Sequence, residues 1–527
     1  MSEADFVVVG GGSAGCVLAR RLSDDPAAHV CLIEAGPPDD NVLCRVPLGA
    51  ALFAPTRWRN WAFETEPQAG LNGRRGYQPR GRMLGGSSAI NAMIYMRGHP
   101  SDYDDWAAAG CRGWGWQDVL PYFKRAEANE RLRDALHGTD GPLNVADLRS
   151  PNPFAARFLE ACEQAGLARN PDFNGAEQEG VGWYQVTQKD GERCSAAAAY
   201  LTPEVRRRSN LEILTNNRAT KVRLEGLRAS GVELENRSFV RAKRSVILCA
   251  GAFQSPQLLM LSGVGPAEEL ERHGIGVVRD LPGVGRNLQD HLDFILLYKV
   301  DSTELVGFSA AGALRLVREI GRWRRERRGM LTSNFAEAGG FLRLDPAARR
   351  PDIQLHFVVA LVDDHARKPH WGHGYSLHVC VLRPRSRGSV SLASADPLAA
   401  PRIDPNFLGC EEDTATLLRG VKLGRSIMGS SVFSSFNPRE IYTAEAKSGD
   451  DLLLHIRQRA DTIYHPAGTC RMGTGTDAVV DPTLKVHGMD NLYVADASVM
   501  PTLVGGNTNA PCIMIGERAA EFVRRNG

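Results

Sequence analysis

The chain has 527 residues, 43% hydrophobic and 24% charged, with a formal net charge of +2. That length fits about two to four domains. The near-neutral balance argues against a nucleic-acid surface, and a mean hydropathy of −0.26 is that of a water-soluble globular chain. Eleven cysteines form no CxxC pair, so neither a disulfide framework nor a zinc site is expected. With no charged leader and no long apolar run, a cytoplasmic protein is expected.

The first stretch, DFVVVGGGSAGCVLARRLSDDPAAHVCLIEAG, reads as strand, turn, helix and strand. Asp5–Val9 is a buried strand, Ala14–Leu22 has helical spacing, and His29–Ile33 is a second strand ending at Glu34. Gly10, Gly12 and Gly15 supply the GxGxxG turn that lets backbone approach a pyrophosphate, with Ser13 and Ala14 beside it. Glu34, followed by Ala35, stands 24 residues after Gly10, near the spacing that grips a ribose hydroxyl. The same turn spells GxSxG around Ser13, the elbow of α/β-hydrolases. That elbow follows several strands, whereas this turn follows the first, so dinucleotide binding is the expectation.

Five later blocks make the expectation narrower. GRMLGGSSAINAMIYMRG (81–98), GAFQSPQLLMLSGVGP (251–266), LPGVGRNLQDH (281–291), YHPAGTCRMG (464–473) and VADASVMPTLVGGNTNAP (494–511) occur in order. On these blocks the chain resembles the glucose–methanol–choline oxidoreductase family, and the resemblance covers essentially its whole length. It implies FAD as cofactor and an α/β architecture. A discontinuous Rossmann-like FAD domain (1–150, 191–300 and 456–527) would carry a substrate domain (151–190 and 301–455). Strand-like DIQLHFVVALV (352–362), YSLHVCVL (375–382) and GSVSL (388–392) would give that second domain an antiparallel sheet.

The resemblance also implies roles. Gly86, Asn91 and Ala92 would lie beside the flavin, Trp61 near the cofactor, Val222 at the adenine, and Asp496, Ala497 and Thr508 at the late return to the cofactor. Members that bind FAD covalently use a histidine where this chain has Ile90, so non-covalent FAD is expected. Asn509 and Pro511 suit the start of a helix whose positive end would face the reduced flavin. His465, fixed by Pro466 and Gly468, would be the base for an alcohol proton, and Asn507 the alkoxide donor. No metal is expected; His365, His370 and His373 read as a polar loop over the substrate pocket, and His291 as structural.

Within the family the resemblance runs to bacterial dehydrogenases of aliphatic primary alcohols, with sorbose, polyethylene-glycol and choline dehydrogenases nearby. It implies a quinone or other electron acceptor. Glu337 and Tyr464 are the substrate-site candidates, and with Trp61 they also compose an aromatic-plus-carboxylate site for choline. An oxygen-using oxidase and a non-redox hydroxynitrile lyase are the remaining alternatives. Finally, ALRLVREIGRWRR (313–325) places Ala313, Leu316, Val317, Ile320 and Trp323 on one helical stripe and Arg315, Arg318, Arg322 and Arg325 opposite. Such a basic amphipathic helix predicts peripheral contact with an anionic membrane.

Overall fold

The computed structural model describes residues 2–526. Along the chain come β1 (Ser2–Val9), α1 (Ser13–Leu22) and β2 (Val30–Ile33). They are followed by α2 (Pro153–Gln164), β3 (Gly180–Trp183), β4 (Leu211–Leu214), β5 (Ala219–Glu225), β6 (Arg228–Leu234) and β7 (Phe239–Leu248). Next are α3 (Gly251–Leu261), β8 (Leu292–Val300), α4 (Ala310–Glu326), β9 (Ala336–Leu342) and β10 (Ile353–Val358). The chain closes with β11 (Gly372–Val381), α5 (Glu411–Met428), β12 (Arg439–Ile441), β13 (Leu492–Val494) and α6 (Asn509–Asn526).

Two sheets organise the molecule. The first runs β4-β2-β1-β7-β6-β5, with β13 joined to the far end of β7. Here β4, β2, β1, β7 and β13 are parallel, and the β5–β6 hairpin extends the edge antiparallel. Its central strands read as continuous apolar runs because both faces are covered. β1 begins at Ser2, earlier than the apolar run, because Ser2–Ala4 pair with Val240–Ala242 of β7.

The second sheet, β12-β8-β11-β10-β9-β3, is antiparallel throughout. Side chains alternate along β10. Ile353, Leu355 and Phe357 join α2 and α5 in one core, while Gln354, His356 and Val358 face the opposite way, toward the first domain. This sheet roofs the cavity, as expected, but its bounds differ from the expected domain limits. β8 belongs to it, so the chain changes domain at Leu292, directly after His291, with no Gly or Pro to mark the change. Asp461–Thr462 also pairs with β8, beyond the expected end at 455. Ser389–Ser391 instead pairs with Arg402–Asp404, and Val390 and Ile403 pack with Phe63, Phe253 and Leu288 of the first domain. GSVSL is therefore not part of the roof.

Candidate active site

A cavity of about 1170 Å³ runs from the Gly10–Ala14 turn to the underside of the second sheet. Its narrow end is shaped by absent side chains. A Cβ on Gly15 would lie 1.9 Å from the Gly10 carbonyl oxygen, and one on Gly86 2.7 Å from Gly12 Cα. Gly10 has φ +104°, and a Cβ there would meet the Cys249 carbonyl at 2.4 Å. No side chain caps α1 at Gly12, so its N-terminal N–H groups are left to an anion. Glu34 is buried and accepts the Gly11 N–H at 2.9 Å and the Gly36 N–H at 2.7 Å. Desolvation raises its carboxyl to about 7 against the pull of those two donors.

Ser13 is not poised as a nucleophile: its hydroxyl donates to Asn509 Oδ1 at 2.8 Å and ties the starts of α1 and α6 together. Asn509 is thereby occupied, and the first turn of α6 is instead closed by Cys512 N–H on the Thr508 carbonyl at 3.0 Å. Asp496 accepts Ser255 Oγ at 2.6 Å and the Gly251 N–H at 2.9 Å, which fixes α3 against the strand end. Burial pushes its carboxyl above the usual range. Arg193 holds Asn91 through its side-chain oxygen at 2.8 Å. Asn91, Ala92, Ile90, Trp61, Ala35, Ala497 and Thr508 all line the cavity.

His465 stands at the roofed end, 6% exposed. Its backbone N–H donates to Asp290 Oδ1 at 2.9 Å, and Thr462 Oγ1 donates to the other oxygen of the same carboxylate at 2.6 Å. Tyr464 is left-handed at φ 78°, a conformation costing about 1–3 kcal/mol in a non-glycine residue. Three contacts impose it: its N–H on Thr462 Oγ1 at 2.7 Å, its carbonyl under Arg80 at 2.8 Å, and its hydroxyl on His365 at 2.7 Å. The rigid turn thus aims the imidazole.

The ring is held at both nitrogens. Nε2 lies 3.2 Å from Asn507 Nδ2, and Nδ1 lies 2.9 Å from His291 Nδ1. Gln354 Nε2 donates to Asn507 Oδ1 at 3.1 Å, which orients the Asn507 amide with its NH₂ toward His465. His465 Nε2 is then the acceptor, and its Nδ1–H points to His291. Burial, with His291 and Arg80 nearby, lowers His465 well below the usual histidine range, so the ring is neutral. His291 is pushed down to about 3, chiefly by burial. A neutral base and an amide donor side by side can take a hydroxyl proton and stabilise the oxyanion left behind.

Three expected residues lie elsewhere. Gly15 is behind the cavity wall and serves as a close contact with Gly10. Val222 is fully buried in β5, its N–H on Ser262 Oγ at 2.9 Å, while Ala219 of the same strand lines the cavity. Glu337 is outside the lining. It is buried, pushed up to about 7 by desolvation, and occupied by Ser333 Oγ at 2.6 Å and the Asn152 N–H at 2.5 Å. Trp61 lines the cavity, but its ring lies against Phe63 at 5.7 Å and two guanidinium groups, Arg82 at 4.9 Å and Arg218 at 5.1 Å. Trp61, Tyr464 and Glu337 therefore do not form a cation cage. Only Tyr464 of the two substrate candidates borders the cavity.

His365, His370 and His373 do border it, each with its own partner: Tyr464, Asp363 and the Leu305 carbonyl. Three residues at the roofed end, Gln354, His356 and His378, escaped sequence reasoning, while His291, read as structural, lies with its Nδ1 2.9 Å from His465 Nδ1. The DH that ends LPGVGRNLQDH was the available signal for His291. The other three are alternate residues of strands whose partners are fixed only by sheet register.

The helix at 313–325 also divides. Trp323 is buried against Val46 and Leu331 and donates its Nε1–H to the Gly191 carbonyl at 3.0 Å. Leu316 and Ile320 reach the cavity mouth, while Val317 is exposed. Among the described residues no helix is long and apolar enough to cross a membrane.

The GMC oxidoreductase family models match residues 4–293 and 384–516. The chain is 49% identical over 528 residues to alcohol dehydrogenase [acceptor] of Pseudomonas putida, covering 99% of this chain and 96% of that protein. Against the mitochondrial choline dehydrogenase of Homo sapiens it is 44% identical over 536 residues, covering 99% and 90%. Among solved structures, a formate oxidase of Aspergillus oryzae RIB40 studied for modification of its FAD superposes with a TM-score of 0.92 at 27% identity, covering 99% and 98%. Fold, motif order and whole-length similarity agree: the chain belongs to the GMC oxidoreductase family and is an FAD-dependent oxidoreductase.

Proposed function

We propose that this chain oxidises a primary aliphatic alcohol to the aldehyde, holds FAD non-covalently, and passes the electrons to a quinone-type acceptor. One observation carries the reading: the oriented series Gln354, Asn507, His465, His291, which leaves a neutral acceptor nitrogen beside an amide donor. A substrate hydroxyl placed there donates to His465 Nε2 and accepts from Asn507 Nδ2. As the carbon loses hydride, His465 holds the hydroxyl proton and Asn507 the growing negative charge on oxygen. Bound FAD supplies the hydride acceptor.

The residues present fit that cofactor. The uncapped start of α1 and the glycine contacts suit a pyrophosphate, Glu34 a ribose, and the Gly86–Ala92 loop a flat ring. Ile90 offers no nucleophile for covalent attachment. The occupied faces of Trp61 and the spent carboxylate of Glu337 argue for an uncharged alcohol rather than choline. The similarity to an alcohol dehydrogenase [acceptor] supports a carrier other than NAD.

The test is anaerobic mixing of the purified flavoprotein with butan-1-ol and choline, followed by reoxidation with oxygen or a soluble quinone. The expected result is bleaching by butan-1-ol, little by choline, and faster reoxidation by quinone. Flavin left oxidised by every alcohol would favour a non-redox role. Acid precipitation should release the yellow flavin into the supernatant.

A further inference from the structure

One buried cation beside the Gly86–Ala92 loop stands without a carboxylate. Arg193 is 4% exposed, and among the described residues its only titratable neighbour is the Cys44 thiol, which burial keeps neutral. Burial pulls the guanidinium down to about 9, so it is still charged at neutral pH. Elsewhere the fold compensates such groups: Arg97 meets Glu127, and Arg383 meets Asp102. A charge taken out of water without a counter-charge is costly, so its retention needs a reason.

Its setting supplies one. Arg193 ends a short strand, Glu192–Arg193, paired with Gln188–Lys189. The turn between them is pinned by the end of α4: Trp323 donates to the Gly191 carbonyl at 3.0 Å, and a Cβ on Gly191 would meet the Arg327 carbonyl oxygen at 2.3 Å. From this fixed base, Arg193 Nη1 donates to the carbonyls of Ser88 at 3.2 Å and Asn91 at 2.7 Å, and Nη2 to that of Pro47 at 3.3 Å. One guanidinium thus holds Ser88 and Asn91, and both line the cavity.

Asn91 passes the charge on. Its Oδ1 accepts from Arg193 Nη1 at 2.8 Å and from the Met93 N–H at 3.0 Å, which fixes the orientation of the amide. Nδ2 is left as a donor with no partner among the described residues, on a residue that borders the cavity. An amide whose oxygen is bound to a cation is polarised, and its N–H groups donate more strongly. Hydride transfer to bound FAD leaves one negative charge on the ring, which such a donor and the cation behind it favour.

We propose that Arg193 is a positioning residue that raises the reduction potential of the bound flavin, acting through the Asn91 amide that it orients and polarises. The inference rests on FAD binding and is independent of which alcohol is oxidised.

The experiment is an anaerobic redox titration of the holoenzyme against a reference dye, with electrons supplied by xanthine and xanthine oxidase, in the wild type, Arg193→Gln and Arg193→Lys. Arg193→Gln should lower the ratio of reduced to oxidised flavin at a given potential at least about tenfold, a midpoint about 30 mV more negative for a two-electron couple. Arg193→Lys, which keeps the charge but not the fork, should restore most of that ratio. If Arg193→Gln is purified without flavin, Asn91→Ala leaves the guanidinium in place and should give the same fall. A Gln variant within twofold of the wild type, or Gln and Lys variants shifted alike, would reduce Arg193 to a packing residue and overturn the proposal. So would an unchanged midpoint in Asn91→Ala. No alcohol enters the titration, so these outcomes leave the alcohol reading untouched.

Discussion

The two sheets build their parts of the cavity from different materials. The parallel sheet contributes backbone: the Gly10–Ala14 turn, the uncapped start of α1, and close approaches that any Cβ would block. The antiparallel sheet contributes side chains from one face, Gln354, His356 and His378, set by register against residues from distant loops. A site made of backbone fails through sterics and loses its ligand outright. A site made of side chains fails through chemistry and keeps its ligand.

The largest expected effect tests the first half of that contrast. Gly15→Val would force atoms into the Gly10 carbonyl, already 1.9 Å from a bare Cβ. The variant should be purified without flavin, and its melting temperature should fall. Normal yellow protein with full flavin absorbance would show that the turn can relax, and the contrast would lose its steric side.

Next comes His465→Ala, on the side-chain half. FAD should stay bound while flavin reduction slows roughly 10²–10⁴-fold, the range of a lost acid–base group. The pH dependence sharpens the point. The His465 base is held well below its ordinary value, so it stays neutral and active at every pH above that depressed value, and the rate falls only as pH drops through it. Reduction rates should therefore show no inflection at about 6.5, where an unperturbed histidine titrates. Stopped-flow rates between about pH 6 and 8 decide this. A midpoint near 6.5 would mean the ring is not desolvated as the fold places it.

A smaller loss is expected one step back. Gln354→Leu removes the donor that fixes the Asn507 amide, allowing its oxygen to turn toward His465 Nε2. About tenfold slower flavin reduction should follow, near the worth of one oriented neutral hydrogen bond. The slope against pH should be unchanged, because His465 itself is untouched. An unaltered rate would show that Asn507 is held by something else.

The same contrast explains what the sequence disclosed. Gly10, Gly12 and Gly15, the flanking strands and Glu34 lie within one stretch of chain, so spacing alone exposes backbone-built function. His465 was legible because Pro466 and Gly468 advertise a turn. Gln354, His356 and His378 sit in apolar strands where alternate polar residues look like an ordinary sheet face. Their meaning appears only when β10 pairs with β11 and when residue 507 arrives from a segment 153 residues away. Glu337 misled for the converse reason: a carboxylate near a substrate strand looks available until Ser333 and Asn152 are seen to occupy it. The domain change at Leu292 was hidden because β8 continues the preceding motif without a breaker.

The smallest expected effect concerns the rim, where the two halves meet. Val42 and Leu52 come from the first domain, and Phe308, Leu316, Ile320 and Trp371 from the second; all border the cavity. They are exposed, Phe308 at 61% and Trp371 at 73%. Exposed apolar groups this close together are unusual unless something covers them. Arg315, Arg318 and Arg325 on the adjoining helix favour an anionic surface, whereas Arg322 is paired with Glu319 and Glu326. We therefore place the proposed membrane contact at this rim rather than at the buried Trp323, with the cavity opening toward the bilayer and a lipid-soluble quinone. Phe308→Glu/Leu316→Glu should reduce co-sedimentation with anionic vesicles severalfold, and leave butan-1-ol reduction of the flavin largely unchanged, because neither residue contacts the reacting end. Trp323→Phe, which keeps the packing against Val46 and Leu331, should pellet like the wild type. Equal pelleting of the rim variant and the wild type, or no pelleting of either at low salt, would make the rim a contact for protein instead of lipid.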